Sequence, residues 1–171
     1  IINEYGADTF RLYEMYMGPL EATKPWNTKD IPGLFRFLQR AWRVLIDEQT
    51  GQPRLAPQES PTLEKSLQRA IHKAGQDFER LSFNTAIASM IQLVNEAMSA
   101  AGEKGPGAFS KSQAERFCIM LSPLAPHIAE EIWSRMGLTQ SAGCVSTQTW
   151  PAVDERMLVD DVVIHRAHHR C

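Results

Sequence analysis

Apolar residues recur at helical spacing in six separate stretches of this 171-residue chain, and this periodicity constrains the fold most. The stretches cover about 7–17, 32–47, 60–78, 83–102, 110–121 and 126–137. Each helix needs a neighbour to bury its apolar face, so the pattern predicts an all-α, antiparallel helical bundle. Segments 145–150 and 159–164 are candidates for short extended pieces near the C-terminus.

Local signals mark where several of these helices begin. Ser110 and Gln113 have the spacing of a capping box, and Asp8 is placed to cap the first helix. Pro126 suits the first turn of the last helix, where a missing N–H does no harm. Glu130 and Glu131 follow it, and we expect both near the positive end of that helix dipole.

Composition restricts the class of function. The net charge of −2 argues against a stand-alone nucleic-acid binder, so an RNA contact would need a local basic face. No apolar run is long enough to predict a membrane span. Cys118, Cys144 and Cys171 form no C-x-x-C pair, which argues against a zinc site or a disulfide framework and favours a reducing cytoplasm.

Two clusters could bind an anionic partner. Arg36, Arg40 and Arg43 have i, i+4, i+7 spacing, and we expect them opposite the apolar stripe of the second helix. Guanidinium groups bind phosphate through two hydrogen bonds, although a solvated helix face would give the same pattern.

The second cluster is Lys24, Trp26 and Lys29, in the loop before that helix. The lysines could contact phosphate while Trp26 stacks on a base. The alternative is an indole that packs against the bundle and fixes the loop.

No pattern in the chain predicts a catalytic or metal site. His127 lacks a second ligand at metal spacing, and we expect a hydrogen-bonded structural histidine. His165, His168 and His169 suggest a metal cluster by composition, but a frayed tail explains them better. The carboxylates do not pair as acid and base, and no nucleophile triad is apparent.

Several segments resemble the leucyl-tRNA synthetases of bacterial type, a family of class I aminoacyl-tRNA synthetases. The resemblance covers about residues 1–164, and the segments that carry it are 5–20, 24–28 with 33, 36–38 and 40–43, 83–88, 122–133 and 150–151. The elements Gly-Ala-Asp-Thr and Ala-Pro-His-Ile-Ala-Glu-Glu are shared more loosely with the valine and isoleucine enzymes. The stretches Glu-Met-Tyr-Met-Gly-Pro-Leu and Lys-Pro-Trp-Asn-Thr point to leucine.

The resemblance implies three regions. Residues 1–30 are a linker helix and loop that follow a catalytic core upstream, 31–138 are the anticodon-binding helical bundle, and 139–171 are a C-terminal link. After residue 164 the sequence departs from the family, as a truncation or a frameshift would produce. The first residues have no initiator methionine, so we expect a piece of a longer protein.

The resemblance also implies the partners. The parent would be a monomeric, cytoplasmic enzyme that uses ATP and magnesium to join leucine to its tRNA. This chain would contribute tRNA contacts, mostly to the backbone, and no catalytic residue or cofactor of its own. Besides the leucine tRNA, its partners would be the catalytic and editing domains of the same protein. We expect Tyr13, Tyr16 and Met17 to be exposed without that core.

Two alternatives stay open. The first is the same domain of a valyl- or isoleucyl-tRNA synthetase. The second is a helical protein-interaction module without an RNA role, which the acidic balance of the chain allows.

Overall fold

The computed structural model describes residues 1–19, 21–23, 25–101 and 105–159. These residues contain eight α-helices: α1 (Ile2–Tyr5), α2 (Ala7–Tyr16), α3 (Ile31–Leu45), α4 (Pro61–Glu79), α5 (Phe83–Ala101), α6 (Lys111–Leu121), α7 (Pro126–Arg135) and α8 (Thr139–Ala142). Short 3-10 turns lie at Thr28–Asp30, Val145–Thr147 and Glu155–Met157. The described part of the chain has no strand beyond an isolated bridge between Ile46 and Pro53.

The six predicted helices are therefore confirmed, and the all-α class with them. The C-terminal prediction fails where it can be checked. Segment 145–150 begins with a 3-10 turn over Val145–Thr147, whose first residue is buried in the helical core. No strand is described in this segment, although Gln148 has an extended backbone. Residues 160–164 of the second candidate lie outside the described residues.

The helices α4 and α5 form an antiparallel pair joined by three residues, and the other helices pack around it. Thr85 at the start of α5 donates a hydrogen bond to Asp77 near the end of α4, at 2.6 Å. The core draws fully buried side chains from every long helix: Phe37, Ala41, Leu45, Leu67, Ile71, Ile87, Val94, Phe117, Leu121 and Ile132.

The first long helix, α2, shares this core. Leu12 and Tyr13 are fully buried, and α2 packs on α3, α5 and α7. The expected exposure of Tyr13 is wrong, because the loop after α2 folds back over its phenol. Tyr16 is 39% exposed and Met17 is half-buried. The boundary near residue 30 stays a prediction.

Candidate nucleic-acid interface

The helix α3 presents Arg36 and Arg43 to solvent, as their spacing predicts. The Nε of Arg36 donates to the carbonyl of Pro32 at 3.2 Å, and no described acidic side chain pairs with it. The Nε of Arg43 donates to Glu48 at 2.9 Å, in a pair whose two side chains are about half exposed. Such a pair contributes less than about 1 kcal/mol, so Arg43 can exchange Glu48 for another anion.

The third arginine, Arg40, has a different environment. It is half-buried, and its Nε is shielded from solvent without a hydrogen-bond partner among the described residues. A step of four residues turns a helix about 40° past a full turn. Successive rotations of this size around the axis of α3 carry the side chain from the exposed position of Arg36 to the half-buried position of Arg40 and then to the buried position of Val44. The expectation that all three arginines lie opposite the core is therefore wrong for Arg40, which borders it.

The loop that carries Trp26 is fixed by Tyr13. The phenol of Tyr13 donates to the carbonyl of Asn27 and accepts from the N–H of Asn27 at 3.1 Å. The side chain of Asn27 accepts from the N–H of Lys29 at 3.1 Å and caps the turn Thr28–Asp30. Because both backbone groups of Asn27 are bonded to a buried side chain, the neighbouring residues have a defined position.

Trp26 packs against the bundle and also keeps part of its indole exposed, so neither of the two predicted roles, packing or base stacking, is excluded. Its ring lies edge-on to Tyr13, with centroids 5.0 Å apart, and 6.4 Å from Phe10. It nevertheless remains 52% exposed, which leaves part of the indole available for stacking. Lys29 is exposed, and none of the described ion pairs includes it. Lys24 lies outside the described residues.

A polar junction between α2 and α7 escaped the sequence predictions. Asp8 was expected to cap its own helix, but that helix begins after Gly6 without a side-chain cap. Its carboxylate instead accepts from the N–H groups of His127 (3.3 Å) and Ile128 (2.7 Å) at the start of α7. The same carboxylate lies 2.7 Å from Nδ1 of His127, so the expected hydrogen bond of this histidine is confirmed, and most of its side chain is exposed.

The two glutamates of α7 have other roles than the expected one. Both lie beyond the first turn of the helix. Glu130 accepts from the N–H of Val145 at 3.0 Å, and Glu131 pairs with Arg135 at 2.7 Å. The negative charge at the positive end of the α7 dipole comes from Asp8. No signal in the sequence reveals this, because Asp8 and His127 are 119 residues apart.

The described residues contain no cluster of three His, Cys, Asp or Glu side chains that could hold a metal ion. His165, His168 and His169 lie outside them. Among the helices described, none combines the length and the apolarity that crossing a bilayer requires.

Residues 62–168 match the family described as the anticodon-binding domain of tRNA ligase. The chain therefore belongs to the anticodon-binding domain family of tRNA ligases. Within that family it is similar to leucine–tRNA ligases along nearly its whole length. It is 42% identical to the leucine–tRNA ligase of Chlorobaculum parvum over 164 residues and 46% identical to that of Rhodococcus jostii over 166 residues.

Both alignments cover 95% of this chain but only 19% and 17% of those relatives. The chain thus spans about a fifth of their length. The fold is also similar to the LeuRS of Agrobacterium radiobacter K84, solved as a ternary complex with tRNA and LeuAMS. That match has a TM-score of 0.71 and 26% identity, and it covers 92% of this chain and 21% of the other.

Proposed function

We propose that this chain is the tRNA-binding helical region of a leucine–tRNA ligase. The observation that carries the proposal is the likeness, over 92% of the chain, to a LeuRS solved with tRNA. Identities of 42% and 46% to proteins named leucine–tRNA ligase favour leucine over valine or isoleucine.

The contact surface that we propose is the arginine face of α3 (Arg36, Arg40 and Arg43) together with Trp26 and Lys29. Lys24 belongs to the same proposal by its place in the sequence. Arginine forks suit phosphate oxygens, and phosphate contacts position a nucleic acid without reading its bases. The exposed part of the Trp26 indole offers a stacking surface next to them. This surface would hold the tRNA body while the acceptor end reaches an active site elsewhere.

The same proposal assigns leucylation, with its ATP and magnesium, to the remaining length of a monomeric, cytoplasmic enzyme. Holding the tRNA in one orientation would then contribute to the rate by positioning. Aminoacylation by the full-length gene product, assayed with leucine, valine and isoleucine in turn, tests the amino acid. Charging with valine or isoleucine, but not leucine, would contradict this part of the proposal.

The contact surface is tested on this chain with the triple variant Arg36→Gln, Arg40→Gln, Arg43→Gln. The matched control is a second triple variant, Arg80→Gln, Lys111→Gln, Arg156→Gln, which removes three positive charges from exposed positions outside α3. Binding of a leucine tRNA transcript is measured from about 50 to 200 mM salt. We expect weaker binding of the first triple, and a salt slope flatter by about 0.7 to 0.9 for each phosphate that is no longer neutralised.

Equal effects of the two triples would show that net charge alone matters and would reject this surface. An unaltered chain with no tRNA binding at low salt would favour the protein-interaction module.

A further inference from the structure

We propose that Arg40 is the principal phosphate contact of the arginine face, a step that rests on the proposed function. The three arginines have the same chemistry but differ in their surroundings. Arg36 bonds only to its own helix, and Arg43 pairs with Glu48. Arg40 has neither kind of partner among the described residues.

The buried Nε of Arg40 has no use within the fold. A buried donor without a partner costs about 1–3 kcal/mol, and no hydrogen bond or ion pair of Arg40 within the described residues offsets this cost. An unbranched apolar side chain such as methionine would cover the same part of the core border without the orphan donor. Arginine at position 40 is therefore a poor choice for stability, and residues that lower stability in this way cluster at functional sites.

The outer end of Arg40 is where a ligand can bind. Its Nη nitrogens are not among the shielded, unpartnered atoms, and no described carboxylate pairs with them. The half-buried residue thus keeps its stem against the protein and its guanidinium fork at the surface. That fork matches the oxygens of a phosphate.

Burial of the stem makes Arg40 a more effective contact than its neighbours. An arginine side chain carries about 2 kcal/mol of rotamer entropy, part of which is lost when it binds an anion. The packed stem of Arg40 has already lost part of that freedom, whereas the side chains of Arg36 and Arg43 are exposed. Arg43 must also release Glu48 first.

The partner that fits is an RNA phosphate. Arg36 and Lys29 lie on the same stretch of chain without a described acidic partner. Residues 29–48 carry four cations, Lys29, Arg36, Arg40 and Arg43, against three anions, Asp30, Asp47 and Glu48, so the formal local charge is +1. A series of phosphates can use several such cations at once, and each contact releases a counterion. A single carboxylate from another part of a longer protein would use Arg40 alone.

The test uses the single variants Arg40→Met, Arg36→Met and Arg43→Met of this chain. Methionine keeps the apolar stem and places a methyl group where Nε was. Binding of a leucine tRNA transcript and the melting temperature are measured for each. We expect Arg40→Met to weaken binding about tenfold and to raise the melting temperature. The other two variants should weaken binding about twofold and should not raise the melting temperature.

Arg40→Lys separates charge from geometry. Lysine keeps the positive charge but lacks the planar fork, so it should restore the salt slope and less than half of the binding energy that methionine removes.

The outcomes distinguish this inference from the proposed function. Equal weakening by Arg40→Met and Arg36→Met would overturn the inference alone. A lower melting temperature, or failure of Arg40→Met to fold, would show that Arg40 serves the fold and would also overturn it. Unchanged binding of the transcript by Arg40→Met would also overturn the inference, and it would leave a single carboxylate from another part of a longer protein as the partner of Arg40. Unaltered binding by the triple glutamine variant would reject the proposed surface itself.

Discussion

The carboxylate of Asp8 lies 2.7 Å from Nδ1 of His127, which is 119 residues further along the chain. It also accepts both N–H groups at the start of α7, while Arg11, one turn later on α2, donates to the carbonyls of Pro123 (3.0 Å) and Leu124 (3.3 Å). Two side chains of one helix thus satisfy both the donors and the acceptors of the α6–α7 turn. The elements Gly-Ala-Asp-Thr and Ala-Pro-His-Ile-Ala-Glu-Glu, separate in the sequence, meet at this contact.

Replacing Asp8 should destabilise the fold. Asp8→Ala leaves the first N–H groups of α7 without an acceptor and removes the partner of His127, at a cost of about 2 kcal/mol. Asp8→Asn keeps an acceptor and should lose less. Urea unfolding followed by circular dichroism measures the difference. Glu14→Ala, at an exposed position on the same helix, is the control and should change the free energy of unfolding by less than about 0.5 kcal/mol.

Removing the hydroxyl of Tyr13 should loosen the loop that carries Trp26. Tyr13→Phe preserves the buried ring but leaves the backbone of Asn27 without its partner, which should cost about 1 kcal/mol. Hydrogen exchange at the amide of Asn27 should become faster, and tRNA binding should weaken slightly. Tyr16→Phe, on the exposed side of α2, is the matched control. Unchanged exchange at Asn27 would mean that the hydroxyl does not hold the loop.

Two glycines should respond to alanine with opposite signs. A Cβ on Gly107 would lie 1.8 Å from the carbonyl oxygen of Arg54, because segments 48–60 and 105–110 touch through their backbones. We expect Gly107→Ala to destabilise the protein by about 3 kcal/mol. A Cβ on Gly33 in α3 meets no atom within 4 Å. Gly33→Ala should therefore stabilise it by about 0.5–1 kcal/mol, as measured by the same urea unfolding. A destabilisation at Gly33 as large as that at Gly107 would contradict this explanation.

Stability should depend on pH through the buried Glu64. Desolvation raises the pKa of this carboxyl, but hydrogen bonds from Arg116, Gln68 and Gln113 outweigh it and hold the pKa below the ordinary value of 4.5. A depressed pKa in the folded state stabilises the protein above pH 4.5, and this contribution is lost as the pH falls through the folded value. The free energy of unfolding should therefore drop with acidification below about pH 4.5.

Glu64→Gln isolates this contribution. At pH 7 the variant should be less stable, because Arg116 loses the buried carboxylate whose Oε2 lies 2.9 Å from its Nη2. The difference from the unaltered chain should shrink as the pH falls, when protonation removes the same charge from Glu64. Glu79→Gln, at an exposed position, should leave the loss of unfolding free energy below about pH 4.5 unchanged. A constant difference between pH 7 and pH 3 would show that Glu64 does not titrate in this way.

Local signals predicted the helices well because their causes lie within a few residues. The capping box of Ser110 and Gln113 forms as predicted, with the two bonds at 3.1 and 3.2 Å. Ser60 likewise caps α4 at 3.4 Å, one position before Pro61. Cys118 is fully buried on the apolar face of α6.

The predictions that failed needed knowledge of a distant partner. Helical spacing places Arg40 within about 40° of Arg36, but whether that small rotation reaches the core depends on which helix packs alongside. The burial of Tyr13 similarly depends on a loop that returns over it. Neither condition has a trace in the residues next to these positions.

The sequence by itself determined where the helices begin and end, which faces are apolar, and which family the chain belongs to. The bounds and the apolar faces follow from dihedral preferences, caps and a 3.6-residue period, all of which act over a few residues. The family follows instead from the resemblance of whole sequence segments. The tertiary structure alone decided that Asp8 caps the helix of His127 and that Arg40 has a buried stem. The first is a contact between elements far apart in the chain and the second is a degree of burial, and both exist only after the helices have packed.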